Sequence, residues 1–248
     1  AYIKIYDIPV FYFPKFFHPD PSVERQSGFL KPEINNSNVL GSSVAVPYFK
    51  EISNNKDLTF TPTIFDKNMI MLENEFRKTE GNYDLLIDYG FVNNYESTSK
   101  NKKKNLSHLF INLDKNLNIE AFNESKLIFS LEKVTDDTYL KVFDSHITNS
   151  NARPDDQNKL NNHIKVLLNN NNFNFNAGIE TFEDLQVSKS DRYQYILPYY
   201  NFNTEILQNK YQGILDFNSS GNNTLQNTNE LKSVIINDLN FNSINYFS

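Results

Sequence analysis

Residues 83–91 alternate strictly. Tyr83, Leu85, Ile87, Tyr89 and Phe91 fall on one side of an extended chain, and Asp84, Leu86, Asp88 and Gly90 on the other. Successive side chains of a β-strand point to opposite faces, so this period of two predicts a strand with one apolar and one polar face. The pattern recurs. Residues 57–65 set Leu58, Phe60, Pro62 and Ile64 against Asp57, Thr59, Thr61 and Thr63. Residues 69–77 set Ile70, Leu72 and Phe76 against Glu73, Glu75 and Arg77, and residues 173–181 set Phe173, Phe175, Ala177 and Ile179 against Asn174, Asn176, Gly178 and Glu180. Less regular runs at 28–35, 40–49, 105–113, 126–134, 159–168, 192–200, 211–217 and 230–237 complete an expectation of about twelve strands in up-and-down order.

The connections between these runs differ in length. Those at 54–56, 79–82, 169–172 and 201–210 would share one end of a sheet, with 66–68, 93–104, 135–158, 183–191 and 218–229 at the other. The second set is mostly longer, which is the short-turn, long-loop asymmetry of outer-membrane barrels. Residues 66–68 are too short for it and 114–125 too long. Residues 135–158 form the longest connection, with a short helical turn expected at 136–143.

Alternation leaves two architectures open. A soluble sandwich buries its apolar faces against each other. A membrane barrel turns them to lipid and encloses Glu73, Glu75, Arg77, Asp84 and Asp88 in a polar lumen. No run approaches 18 apolar residues, so no transmembrane helix is expected. The mean hydropathy of −0.56 does not separate the two, because barrel strands average out. Aromatics at expected strand ends (Tyr48, Phe49, Phe65, Tyr83, Phe91, Tyr193, Tyr199, Tyr200) favour the barrel.

Several chemistries find no support. There is no cysteine, which removes disulfides and thiolate metal sites from these residues. The net charge of −6 argues against nucleic acid. The basic run at Lys100, Lys102, Lys103 and Lys104 reads as a solvated loop. His18, His108, His146 and His163 show no metal-ligand spacing, so no metal is expected. Glu73/Glu75 and Asp84/Asp88 are paired carboxylates, which glycosidases require at set separation, but a polar strand face accounts for them. Asp136-Asp137, Asp155-Asp156 and Glu183-Asp184 read as solvated acidic loops, with cation binding as the alternative. No nucleophile–base pair or phosphate loop is present. The chain is expected not to be an enzyme and to need no cofactor. The 39 asparagines are attributed mainly to base composition.

Proline is concentrated early. Six of the nine prolines fall at Pro9, Pro14, Pro19, Pro21, Pro32 and Pro47. Proline lacks a backbone donor and is excluded from central ladder positions. The first four read as a stiff connector, and Pro32 and Pro47 weaken the strands that contain them. Proline tolerated at a strand end or bulge is the plainer alternative.

These residues also carry a resemblance. The ordered set IPVFYFP at 8–14, RQSGFLKP at 25–32, VPYF at 46–49, DLTFTP at 57–62 and ENEFR at 73–77, with SLEKVTDDTY at 130–139, resembles the LptD family of lipopolysaccharide-assembly proteins. Pro32, Pro47 and Pro62 keep the family's fifteen-residue spacing. The resemblance is strong over 1–78, weaker to 203, and beyond that only strand-like. It implies an all-β fold: part of an antiparallel up-and-down transmembrane β-barrel preceded by the last strand of a β-jellyroll. Residues 1–10 would end the jellyroll, 11–26 would be a Pro-rich hinge, and 27–248 the N-terminal portion of the barrel. The chain, which begins at Ala1, would be a fragment or processed form.

The function implied is transport of lipopolysaccharide into the outer leaflet of the Gram-negative outer membrane through a lateral gate at the first barrel strands. Pro32 and Pro47 would form the gate, with Pro9, Pro14, Pro19, Pro21, Arg25 and Gly28 along the hinge and substrate route. Arg25 could instead pair with Glu24 or Asp20. The partners implied are lipopolysaccharide, the plug lipoprotein LptE, an LptA-type periplasmic bridge joined through the jellyroll, and outer-membrane lipid. A general porin or receptor barrel and a soluble β-sandwich binding module are the alternative readings.

Overall fold

The computed structural model describes residues 2–5, 8–12, 25–96, 103–187, 192–209, 213–226 and 230–243. Two strands, β1 (Tyr2–Ile5) and β2 (Ile8–Tyr12), pair as a small antiparallel hairpin of their own. One strand was expected here. The second reaches Tyr12, inside the range assigned to the hinge.

The remaining strands form one antiparallel sheet of fourteen. Its first members are short: β3 (Gly28–Phe29), β4 (Glu33–Ser37), β5 (Gly41–Ala45) and β6 (Tyr48–Ser53). Longer strands follow: β7 (Lys56–Phe65), β8 (Ile70–Glu80), β9 (Tyr83–Glu96), β10 (Lys103–Asn116) and β11 (Glu124–Val134). After a single helical turn, α1 (Tyr139–Val142), come β12 (Lys159–Asn170), β13 (Phe173–Asp184), β14 (Tyr193–Asn209), β15 (Gly213–Gln226) and β16 (Glu230–Asn242). From β7 onward each strand pairs with the next, as the up-and-down reading requires. The sheet is open, with β16 at one end and the β3–β6 group at the other. No helix among the described residues is long and apolar enough to cross a membrane.

The expected twelve strands become fourteen for one reason. Each of the first two splits at its proline, 28–35 into β3 and β4 around Pro32, and 40–49 into β5 and β6 around Pro47. The expected loops at 201–210 and 218–229 are mostly strand, because β14 and β15 run longer than their alternation suggested. Tyr199 and Tyr200 consequently lie mid-strand rather than at rims, and so does Phe91, because β9 continues to Glu96. Tight turns at 54–55, 81–82 and 171–172 occupy one end, and the long connection 135–158 leaves from the other.

The two faces of the sheet differ as the alternation requires. On one, Ile64 pairs with Ile70 and Phe76 with Ile87, and Ile64, Ile70 and Tyr89 stay exposed. The other carries rows that cross several strands: Met71–Val92–Leu106, Glu73–Gly90–His108–Val134 and Glu75–Asp88–Phe110–Glu132. Residues 135–158 fold back over this second face as a cap. Tyr139, Leu140, Phe143, Ile147 and Ala152 of the cap join Leu40, Phe65, Met71, Val92 and Phe110 in one apolar core. Each large side chain fully buried this way contributes about 1.5–3 kcal/mol. The helical turn expected at 136–143 is present; Asp136 begins it, its carboxylate accepting from the Thr138 amide and hydroxyl.

Candidate functional site

Two regions carry unusual chemistry. The first is the edge formed by β3–β6. Leu30 N donates to Pro47 O at 2.8 Å, and Val46 N donates to Pro62 O at 3.1 Å. In an antiparallel strand the N–H and C=O of one residue point to the same neighbour. The donors missing at Pro47 and Pro62 therefore face the same way as those carbonyls, toward the β3 edge. Pro32 lies just beyond Leu30, so the fifteen-residue spacing sets three prolines at one level across three adjacent strands. Each missing bond forgoes about 0.5–1.5 kcal/mol. Only Gly28↔Phe49 and Phe29↔Tyr48 join β3 to β6.

Arg25 enters this edge through Asp57, while Glu24 and Asp20 lie outside the described residues. It donates to Asp57 Oδ2 at 2.8 Å, and Arg77 donates to Asp57 Oδ1, also at 2.8 Å. The Arg25 guanidinium also stands over the Phe49 ring. A side chain at Gly28 would meet nothing within 4 Å, so Gly28 is not sterically required. Pro9 lies in β2 opposite Lys4. Pro14, Pro19 and Pro21, like Lys100 and Lys102, lie outside the described residues.

The second region lies under the cap. Glu73, Glu75, Arg77, Asp84 and Asp88 share one face, as alternation predicts, but not one environment. Asp84 is exposed, whereas Glu73 and Asp88 are 1 % and 0 % exposed because the cap excludes water from them. His108 joins them, its Nε2 lying 3.2 Å from Asp88 Oδ1 and 3.7 Å from Glu73 Oε2. Ligand atoms of all three lie within 4.8 Å of one another. Gly90 makes the convergence possible. It pairs with Glu73 on one side and His108 on the other, and a Cβ there would stand 2.1 Å from Glu73 Oε1 and 2.4 Å from His108 Cε1.

The cap is tied down at many points. Ser150 Oγ donates to Asp88 Oδ2 at 3.0 Å, and the Tyr139 hydroxyl lies 3.0 Å from His108 Nδ1. Burial, followed by the nearby Glu73 and Asp88 charges, pushes the Tyr139 phenol far above its ordinary range and keeps it protonated. His146 Nε2 reaches Ser43 Oγ, and Asn112 Nδ2 donates to Asn151 O at 2.7 Å. The acidic pairs expected to be solvated are partly engaged. Asp136 pairs with Lys104, and Arg192 bridges Asp137 and Glu183. Burial alone would raise the Asp136 carboxyl, but the Lys104 and Thr138 bonds outweigh it and lower its pKa.

His108, His146, Gly90, Tyr139 and Ser150 were not singled out by local spacing. Their partners come from register and from the cap, over sequence separations that no short motif spans. The asparagines also gain a geometric role. Glu124, Asn169, Asn174, Asn203, Asn218 and Asp238 stand in register as one polar row across β11–β16. Asn169 Nδ2 donates to Glu124 Oε2 at 2.9 Å, and Asn203 donates to Asn218.

No family model matches the chain. Curated relatives do. It is 41 % identical over 83 residues to the LPS-assembly protein LptD of Polaromonas sp. (strain JS666 / ATCC BAA-500), covering 34 % of this chain and 10 % of that protein. It is 40 % identical over 81 residues to the LPS-assembly protein LptD of Shewanella sp. (strain MR-4), covering 33 % and 10 %. Over a longer stretch of 149 residues it is 28 % identical to the LPS-assembly protein LptD of Idiomarina loihiensis, covering 58 % of this chain and 18 % of that one. The chain thus spans between a tenth and a fifth of the length of these relatives. With those matches and a sheet that is antiparallel throughout, the chain is LptD-like.

Proposed function

We propose that this chain is part of an outer-membrane translocon that assembles lipopolysaccharide, and that the β3–β6 edge is one side of its lateral gate. The observation that carries the reading is the broken ladder at Pro32, Pro47 and Pro62. A closed barrel in lipid leaves no backbone group unpaired, since each would cost several kcal/mol. An edge that has to part repeatedly is easier to open where donors are already missing. The relatives' role in LPS assembly supports the same reading. So does the exposed apolar face through Ile64, Ile70 and Tyr89, which suits outer-membrane lipid.

On this reading the hairpin β1–β2 ends a periplasmic jellyroll that continues an LptA-type bridge, and an LptE plug completes the barrel interior. The protein moves its substrate and changes no covalent bond. The test replaces Pro32 and Pro47 together by valine in the full-length protein. Lipopolysaccharide arrival at the outer leaflet, followed in a reconstituted system, should slow. Unchanged arrival, with the variant correctly inserted, removes the gate from this edge.

A further inference from the structure

We infer that Glu73, Asp88 and His108 form a binding site for a divalent transition cation, of the zinc or manganese class, closed beneath the 135–158 cap.

Two observations point there independently. The first is the convergence of three ligand-bearing side chains, an imidazole and two carboxylates, with donor atoms within 4.8 Å of one another. Mixed nitrogen and oxygen donors suit borderline first-row cations, whereas magnesium and calcium favour oxygen alone. The second is Glu73 itself. Its side chain is shut off from water, yet neither carboxylate oxygen has a hydrogen-bond partner among the described residues. Buried polar groups are almost always satisfied, and a buried charge without a partner is costly. The Thr148 backbone reaches toward it too loosely to satisfy either oxygen, and the Arg153 charge lies nearby. A cation between Glu73, Asp88 and His108 satisfies it directly.

The surroundings are arranged as a metal site requires. A ligating histidine generally gives its second ring nitrogen to a fixed partner, which sets the tautomer. Here Nδ1 faces the Tyr139 hydroxyl at 3.0 Å. With Nδ1–H donating to Tyr139, the lone pair of Nε2 points at Asp88 and Glu73. The second oxygen of Asp88 is held by the Ser150 hydroxyl. Gly90 leaves the space over which Glu73 and His108 meet. The ligands come from β8, β9 and β10, and their outer partners Tyr139 and Ser150 from the cap. A bound cation would therefore fasten the cap to the sheet.

The test uses the intact protein in detergent, stripped of metal by a chelator and then offered zinc. Stoichiometric zinc retained through dialysis, with a rise in Tm, is the expected result. Cobalt offered in place of zinc should give the visible absorption of a protein-bound ion. Glu73→Gln is nearly isosteric and should abolish both the retention and the Tm rise. Tyr139→Phe, which keeps the ring packed, should weaken zinc binding about 10–100-fold, as loss of an outer partner does. If the cluster holds protons only, the wild type retains no zinc and Glu73→Gln raises Tm without metal; that result overturns the site. Zinc retention undiminished in Glu73→Gln overturns the ligand assignment. An equal response to magnesium overturns the class of cation.

Discussion

His146 Nε2 lies 2.9 Å from Ser43 Oγ, joining the cap to β5, one of the proline-broken strands. The same imidazole packs on Phe65 with ring centroids 5.0 Å apart. Burial holds its pKa below the ordinary 6.5, with Glu33 pulling weakly the other way. The folded chain thus keeps His146 neutral where the unfolded chain already binds a proton. Stability is complete above the unfolded-state value and falls as pH drops below it, through the window down to the folded-state value. Hydrogen exchange at residues 41–45 should quicken on acidification below about pH 6.5. His146→Gln should flatten that dependence, and an unchanged pH profile would remove His146 from the contact.

Gly90→Ala should destabilise the sheet without touching its apolar face. The added methyl would collide with Glu73 and His108 rather than with a flexible surface group. Overpacking of this kind costs about 1–3 kcal/mol. Heat denaturation in detergent would measure it, and a neutral result would mean that the two side chains do not converge over Gly90.

Asp57 is buried and accepts from two arginines, Arg25 and Arg77. Asp57→Asn should take this charged partner from Arg25 and leave Arg77 with the longer contact to Glu75 at 3.6 Å. Hydrogen bonds to charged groups contribute roughly 1.5–3 kcal/mol. Both arginines are about half exposed, so screening sets the expected loss at the lower end of that range. Protease cleavage just before β3 should become faster in the variant. Equal cleavage rates would show that the pair does not hold this segment.

Phe143 is fully buried, 5.0 Å from the Tyr139 ring and 5.5 Å from the Tyr95 ring between centroids. Phe143→Ala should cost about 3–5 kcal/mol, the range for a large aromatic removed from a packed core. The loss should concentrate in the cap, so that exchange at 139–152 rises before that at β13–β15. Uniform loosening would mean the cap and sheet unfold as one unit.

The Glu73–His108 meeting marks where local reading stops. The alternation of 69–77 and 83–91 placed Glu73 and Asp88 on one face correctly. It expected that face to be wet, because a stripe dominated by Glu73, Glu75, Arg77, Asp84 and Asp88 reads as solvated when each strand is taken alone. Met71, Val92, Leu106 and Phe110 lie on the same face and give the cap something to pack on. The scattered histidines looked inert because metal-ligand spacing is a property of one helix or loop. Here Glu73, Asp88 and His108 stand on three neighbouring strands.

Particular elements divide the same way. The sequence by itself determined the strands, their order, the polar and apolar face of each, and the prolines that break the first two. These follow from backbone sterics and a period of two, both local. Tertiary structure alone decided that Pro32, Pro47 and Pro62 fall at one level, that the asparagines form a row, and that residues 135–158 cover Glu73, Asp88 and His108. A strand's neighbours are set by register across the sheet, and a cap's position by the core it fills. Both depend on residues far apart in the chain, so no local spacing records them.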